Sequence, residues 1–503
     1  MLRKYTLLLL ILWQWPASFI ATAQSLDSEL AQIVSDYQLM GMSVVKVCDG
    51  QISFSEGYGL ADYDDNIPVT QNTLYRIASV SKSVTATALM ILYDQGLFDL
   101  DDDINTCLGY SIRNWHYPDD PITFRMLLSH TSSIVDGSKY SNFLSATYSQ
   151  NPPPSISAYF VPGGTYYTGN IFLNRKPGTY FSYSNSNFGL IGTLIEKLSG
   201  MRFDDFCRLH IFDPLEINAS FNIQDIADIS DVAVLYRYIG NNWVPQADNY
   251  NGVMPPPLDL SQYTIGDNGF LFGPQGGLRI SAEGLAAFML LHANDGAYNN
   301  AVILQNSTAQ LMHAVQWQYN GSNGNDYYGL FKAWGLGFHI TTNAASSDLV
   351  FPDRKMTGHP GEAYGLISDM YFDSLQNGVI FITNGSKLSY VVGPSSSFYT
   401  VEADVFGAVY DDLQNCTVAE DPKQIQDFEI VPNPAINWIT VQSFIHGGLH
   451  YMDQVSIYDH YGRLWYSAPA ASVSMEVAAL PPGIYRLCFK VQGHPYQVPF
   501  IRQ

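Results

Sequence analysis

The chain has 503 residues, 47% of them hydrophobic and 14% charged, which is enough for one large core plus a smaller module and rules out a disordered polymer. Its 24 Lys+Arg against 46 Asp+Glu leave a formal charge of −22, not concentrated in a single acidic tail, which argues against nucleic acid as a partner. With 14% aromatics, such an acidic chain suits an extracellular enzyme or binding protein with tyrosine-rich clefts.

At the N-terminus, Arg3 and Lys4 precede the apolar stretch 7–13, and Ala21, Thr22 and Ala23 form a small-x-small cleavage site. Residues 1–23 therefore read as a secretory signal, with a mature chain starting at Gln24. Gln14 and Pro16 interrupt a stretch already shorter than the roughly 20 apolar residues a membrane span requires. No later segment is apolar enough to span, so the expectation is a secreted or cell-surface protein with no transmembrane segment in its mature form.

Helical and strand-like segments alternate from 26 to 410. The first carrying a chemical pattern is Met42, Ser43, Val44, Val45, Lys46 and Val47, which reads as a strand. Ser43 and Lys46 have S-x-x-K spacing, but a strand turns residues i and i+3 to opposite faces. A second copy, Ser79, Val80, Ser81 and Lys82, heads the apolar run Val84, Ala88, Leu89, Ile91 and Leu92. On a helix, i and i+3 share a face, so the Lys82 amine comes within reach of the Ser79 hydroxyl and a nucleophile needs no histidine. The helix N-terminus and partial burial both favour the neutral amine, and the first turn supplies a backbone donor for an oxyanion.

Two polar-aromatic inserts follow, 136–174 and 236–267, each with a triple proline. Their Tyr159, Phe160, Tyr166, Tyr167, Trp243, Tyr250 and Tyr263 read either as walls of a binding cleft or as surface decoration. Between the inserts, Tyr183 and Asn185 fall on a turn before a helix built on Leu190, Ile191, Leu194 and Ile195 and closed by Gly200. They offer the second hydrogen-bonding group that acyl transfer needs to pass a proton to the leaving group. Tyr140, Ser141 and Asn142 repeat the same residue types inside the first insert, with no element expected to hold them.

Farther on, the glycine-lined segment 358–365 precedes the strand-like runs 367–372 and 379–382. It reads as a strand edge whose glycines permit close backbone approach and lend an N–H to an oxyanion, with His359 bordering the cleft; a structural histidine in an ordinary glycine turn is the alternative. Residues 411–427 read as a linker, and the short runs of 428–503 with turn punctuation suggest a small antiparallel β-sandwich. Five scattered cysteines are too few for a disulfide framework, and their odd number leaves at least one unpaired. No zinc-type or phosphate-loop spacing occurs, so no metal and no cofactor are expected.

Taken in order, several phrases resemble the β-lactamase-related serine hydrolases: class C β-lactamases, D-alanyl-D-alanine carboxypeptidases, related esterases and D-aminopeptidases. They are Gly57 to Asp62, Arg76 to Lys82, Leu128 to Ser132, Pro177 and Gly178, Tyr183 with Asn185, Gly276 to Leu278, and Trp334 to Gly337. The resemblance implies an α/β fold, an antiparallel sheet flanked by helices plus a mostly helical lobe, with the nucleophile between them. By position it makes Ser79 the acylated nucleophile, Lys82 the base or relay and Tyr183 the acid/base toward the leaving group, leaving open which of the two deprotonates Ser79. Asn185 would hold the substrate's amide or carbonyl, and the N–H groups of Ser79 and Glu362 would form the oxyanion hole. His359, Pro360 and Gly361 stand where β-lactamases carry lysine, threonine and glycine, so a carboxylate-binding lysine is replaced and Glu362 adds negative charge beside it. This points away from β-lactams and toward a small ester or D-amino-acid amide or peptide; the competing reading is a catalytically silent binding or scaffolding protein at the cell surface.

The C-terminal module resembles the sorting domains of the type IX secretion system of Bacteroidetes, through Ile430 to Pro434 and Leu480 to Tyr485. That resemblance implies the secretion machinery as a partner and export through the periplasm.

Overall fold

The structure is a computed structural model describing residues 25–343, 347–413, 428–443, 451–459, 464–472, 474–491 and 494–503. The expected signal segment and all but the first three residues of the expected linker lie outside these.

Ser25 opens the first helix, Leu26–Asp36, by accepting the N–H of Ser28, and Leu26, Leu30 and Ile33 recur at the spacing that buries one helical face. The following strands join a nine-stranded sheet ordered Trp317–Gln318, Ala333–Trp334, His339–Ile340, Thr357–Ala363, Leu366–Phe372, Gly378–Thr383, Gly41–Cys48, Gln51–Asp62, Ile67–Pro68. Leu366–Phe372 and Gly378–Thr383 are buried along their whole length, so both sheet faces are covered there. Helix Ser81–Asp94 is likewise buried all round from Ser81 to Leu92 and packs against helix Asn185–Ser199. The fold is the expected α/β type, a large antiparallel sheet flanked by helices, with further helices forming a lobe.

By backbone contacts the chain divides into two compact units: residues 1–45, 55–372 and 379–410, and residues 46–54, 373–378 and 411–503. In the second, a three-stranded sheet (Phe428–Val431, Trp438–Ser443, Ser474–Glu476) and a four-stranded one (Leu464–Ser472, Tyr451–Asp459, Gly483–Val491, His494–Arg502) share one apolar core that includes Ile439, Val455, Leu487 and Phe500. Cys48 is disulfide-bonded, whereas Cys107 and Cys207 are free thiols.

The two inserts correct the sequence reading. The first contains helix Tyr140–Ser149, so Tyr140, Ser141 and Asn142 form a helical first turn and are held rigidly after all. Tyr159 and Phe160 are fully buried core residues, Tyr159 stacked on Phe143 and Phe160 tilted against Phe270, because the insert folds back onto the helical lobe. The second insert includes strand Asn242–Ala247, paired with Leu235–Ile239.

Candidate active site

Ser79 sits in a 3-10 turn, Ala78–Val80, that runs directly into helix Ser81–Asp94. Ala78 takes a left-handed φ of 47°, a sharp bend for a residue with a Cβ, and it lifts the half-exposed Ser79 out of the chain path. Lys82, one turn on, is completely buried. Its Nζ donates to Ser79 Oγ at 3.0 Å, to Asn185 Oδ1 at 2.9 Å and to the Gln275 carbonyl at 2.6 Å. Burial pulls the amine down from its ordinary 10.5 to about 7, with the Asp136 charge opposing. The result is an amine about half of which is neutral at pH 7 and able to accept a proton, joined directly to a serine hydroxyl.

Asn185 is the first residue of helix Asn185–Ser199. Asp136 fixes it: one carboxylate oxygen accepts the Asn185 side-chain amide at 2.9 Å, leaving Oδ1 to face Lys82. The other accepts the Ser186 N–H at 2.8 Å, capping the helix. Tyr183 stands just before, its loop held by His130, whose Nδ1 accepts the Ser184 N–H at 3.2 Å and whose carbonyl accepts the Ser182 N–H. The Tyr183 ring stacks on Phe331, and Lys82 Nζ lies 5.0 Å from its centroid. Its hydroxyl is buried and faces Ser79 without a hydrogen bond of regular geometry. Burial raises its pKa, so the phenol keeps its proton; the Ser79 hydroxyl opposes that shift in part.

The glycine-lined segment is a strand edge, Thr357–Ala363, as its glycines suggest. The neighbouring His339–Ile340 covers only Gly358 and Thr357, so the rest of that edge is open and packs along the Ala78–Val80 turn. A Cβ on Gly361 would fall 2.8 Å from the Ile77 carbonyl and 3.1 Å from the Ser79 nitrogen, so only glycine keeps the space before the Ser79 N–H clear. Glu362 is exposed at the cavity and accepts from the Tyr399 hydroxyl at 2.9 Å. His359 departs from expectation: strand alternation turns it inward, where it is fully buried, donates to the Pro360 carbonyl at 2.6 Å and does not line the cavity. Burial and nearby Lys82 push its pKa well below the usual range, so it is neutral.

A cavity of about 500 Å³ opens beside Ser79, bordered by Tyr183, Phe331, Gly361, Glu362, Phe398 and Glu402 among others. None of the insert aromatics named from sequence lines it. Its aromatic walls come instead from 327–331 and 398–399, stretches with no distinguishing spacing. Asp136 and Gln275 were missed too, because each acts on Lys82 or Asn185 across long chain separations.

Sheet, helical lobe and serine-lysine-tyrosine-asparagine cluster together define a β-lactamase/penicillin-binding-protein type of hydrolase fold. The family model named Beta-lactamase matches residues 26–390, and the chain belongs to that family of serine hydrolases. It is 28% identical over 238 residues to penicillin-binding protein 4* of Bacillus subtilis strain 168, covering 45% of this chain and 46% of that one. The chain spans less than half the length of the curated relatives it matches. Among solved structures, the octameric penicillin-binding protein homologue from Pyrococcus abyssi superposes with a TM-score of 0.57 at 19% identity, covering 94% of this chain and 89% of that one. The D-amino acid amidase from Ochrobactrum anthropi SV3, complexed with D-phenylalanine, gives 0.53 at 21% identity, covering 78% and 99%.

Proposed function

We propose that the protein is an exported serine hydrolase that cleaves a small ester or a D-amino-acid amide or peptide through an acyl-enzyme on Ser79. The observation that carries this reading is the buried Lys82 amine, bonded at once to Ser79 and Asn185 and held near a pKa of about 7. Neutral Lys82 takes the Ser79 proton as Oγ attacks the substrate carbonyl, forming the Oγ–C bond. The N–H groups of Ser79 and Glu362 receive the negative oxygen, and the Asn185 side chain steadies the substrate amide. As the carbonyl–leaving-group bond breaks, the Tyr183 phenol gives its proton to the departing oxygen or nitrogen and recovers one from Lys82. Water then attacks the acyl-enzyme carbonyl and gives a proton to the same relay, the Oγ–C bond breaks as the relay returns that proton to Ser79 Oγ, and the acid leaves.

β-Lactams fit this site less well than esters or amides, because neutral, buried His359 offers a substrate carboxylate no positive charge. A D-amino acid amidase and a hydrolase with promiscuous acyltransferase activity share this fold, so the fold accommodates such chemistry. Export rests on the signal-like N-terminus and on the sorting-domain phrases of 428–503, which give the type IX machinery as the partner. Removing 428–503 would then retain the protein inside the cell envelope, read by fractionation.

The mechanism is tested by Ser79→Ala. Labelling by a fluorophosphonate or penicillin probe, and turnover in a parallel screen of p-nitrophenyl esters, nitrocefin and D-Ala-D-Ala peptides, should both disappear; activity surviving in that variant sinks the reading.

A further inference from the structure

The cavity beside Ser79 is unbalanced in charge. Glu362 and Glu402 line it, and no lysine or arginine does among the described residues. Behind Glu402 lies Asp369, completely buried and close enough to share a proton with it. None of these three carboxyl groups forms an ion pair among the described residues. Tyr399 fixes both lining acids: its hydroxyl donates to Glu362 Oε2 at 2.9 Å and its backbone N–H to Glu402 Oε2 at 2.5 Å. The opposite walls are aromatic, with Tyr327, Phe331 and Phe398, and a fully exposed Tyr328 stands at the rim.

Buried carboxyl groups are costly unless a cation or hydrogen bonds compensate them. In the empty cavity the compensation is a proton, since burial lifts the Glu402 pKa to about 8 and also raises that of Asp369. Aromatic faces set around fixed carboxylates suit an ammonium group carried on an apolar body. A carboxylate-bearing ligand would meet the Glu362 carboxylate and, among the described lining residues, no cation to hold it.

We propose that this cavity recognises a protonated primary amine attached to an apolar group, so that the substrate is an amide or ester of an amino acid with a free amino terminus. The proposal rests on the serine hydrolase reading above and narrows it. On binding, the ammonium takes the place of the proton that Glu402 and Asp369 share, and that proton leaves to solvent.

The test compares kcat/KM of the full-length protein for D-phenylalanine p-nitroanilide, its N-acetyl derivative and the des-amino 3-phenylpropionyl analogue. The free amine should be preferred at least tenfold, and Glu402→Gln should collapse that ratio mainly through KM. Should that variant fold poorly, inhibition of the unaltered protein by phenethylamine against 3-phenylpropionate reads the same preference. Equal or faster cleavage of the N-acetyl or des-amino compound overturns the inference, as does a ratio that Glu402→Gln leaves unchanged. If Ser79 labels with fluorophosphonate but no amine preference exists, this inference alone falls; if Ser79 does not label, the hydrolase reading falls and takes it along.

Discussion

The chain carries the same four-residue spacing twice, and the two copies end in opposite chemistry. Ser43 and Lys46 lie on strand Gly41–Cys48, where Ser43 shares a hydrogen bond with the Tyr75 hydroxyl at 2.9 Å and Lys46 pairs with Asp412. Ser79 and Lys82 lie on a helical turn, bonded to each other, with the amine denied any carboxylate in direct contact. Lys46 spends its charge on a structural ion pair, whereas Lys82 is surrounded by a hydroxyl, an amide oxygen and a backbone carbonyl. Backbone geometry decides whether serine and lysine meet, and the polarity of the third partner decides whether the lysine is a cation or a base.

The largest effect that separates the two copies is covalent. Ser79→Ala should abolish acylation, while Ser43→Ala should leave stoichiometric fluorophosphonate labelling intact; mass spectrometry of the labelled peptide reads both. Next, Lys82→Met should lower kcat by about a thousandfold, the range expected when a positioned base is removed. In the unaltered protein, Lys82 is a base only when neutral, so kcat/KM should fall tenfold per pH unit below about 7. Its folded value lies below its ordinary 10.5, so the unfolded chain binds the extra proton between about 7 and 10.5 and the contribution of Lys82 to stability rises with pH across that window. Lys82→Met should flatten that slope in denaturation measured over the same range. Gly361→Ala should follow with a loss of about a hundredfold in kcat, because its Cβ would collide with Ser368 Oγ, which donates to the Ile77 carbonyl, and crowd that carbonyl and the Ser79 nitrogen as well.

Much of the site was legible because its parts are local or carry backbone constraints. Ser79 and Lys82 are a helical i, i+3 pair, and Tyr183 with Asn185 sits where a helix begins, so spacing read together with the helical context pointed to them. The phrases Gly276 to Leu278 and Trp334 to Gly337 have a packing cause: Leu278 donates its N–H to Ser81 Oγ, and Ser83 donates to the Gly337 carbonyl. His359 was misplaced because a strand edge buries alternate residues, and which face of Thr357–Ala363 turns inward is set by the elements packed behind it rather than by its own residues. The cavity walls were misassigned for a related reason. An insert rich in tyrosine gives no sign of whether it faces a cleft or, like Tyr159 and Phe160, folds into its own core.

Asp136 gives the finest test of the comparison, since among the described residues it is the carboxylate whose charge raises the Lys82 pKa, and it acts without touching the amine. It also aims the Asn185 amide and caps helix Asn185–Ser199. Asp136→Asn keeps a side chain able to accept hydrogen bonds but removes the charge. The acid limb of kcat/KM should therefore move below pH 7, with a loss of about tenfold in kcat from a less firmly aimed Asn185. A residue that only held the helix in place would cost rate without moving the limb. At Lys46, the corresponding change, Lys46→Met, removes an ion pair whose Asp412 side chain is 29% exposed; it should cost about 1 kcal/mol of stability in urea unfolding and leave the pH profile where it was. A profile that shifts with Lys46 and stays fixed with Asp136 would mean that net charge, and not the contacts around each lysine, sets their difference.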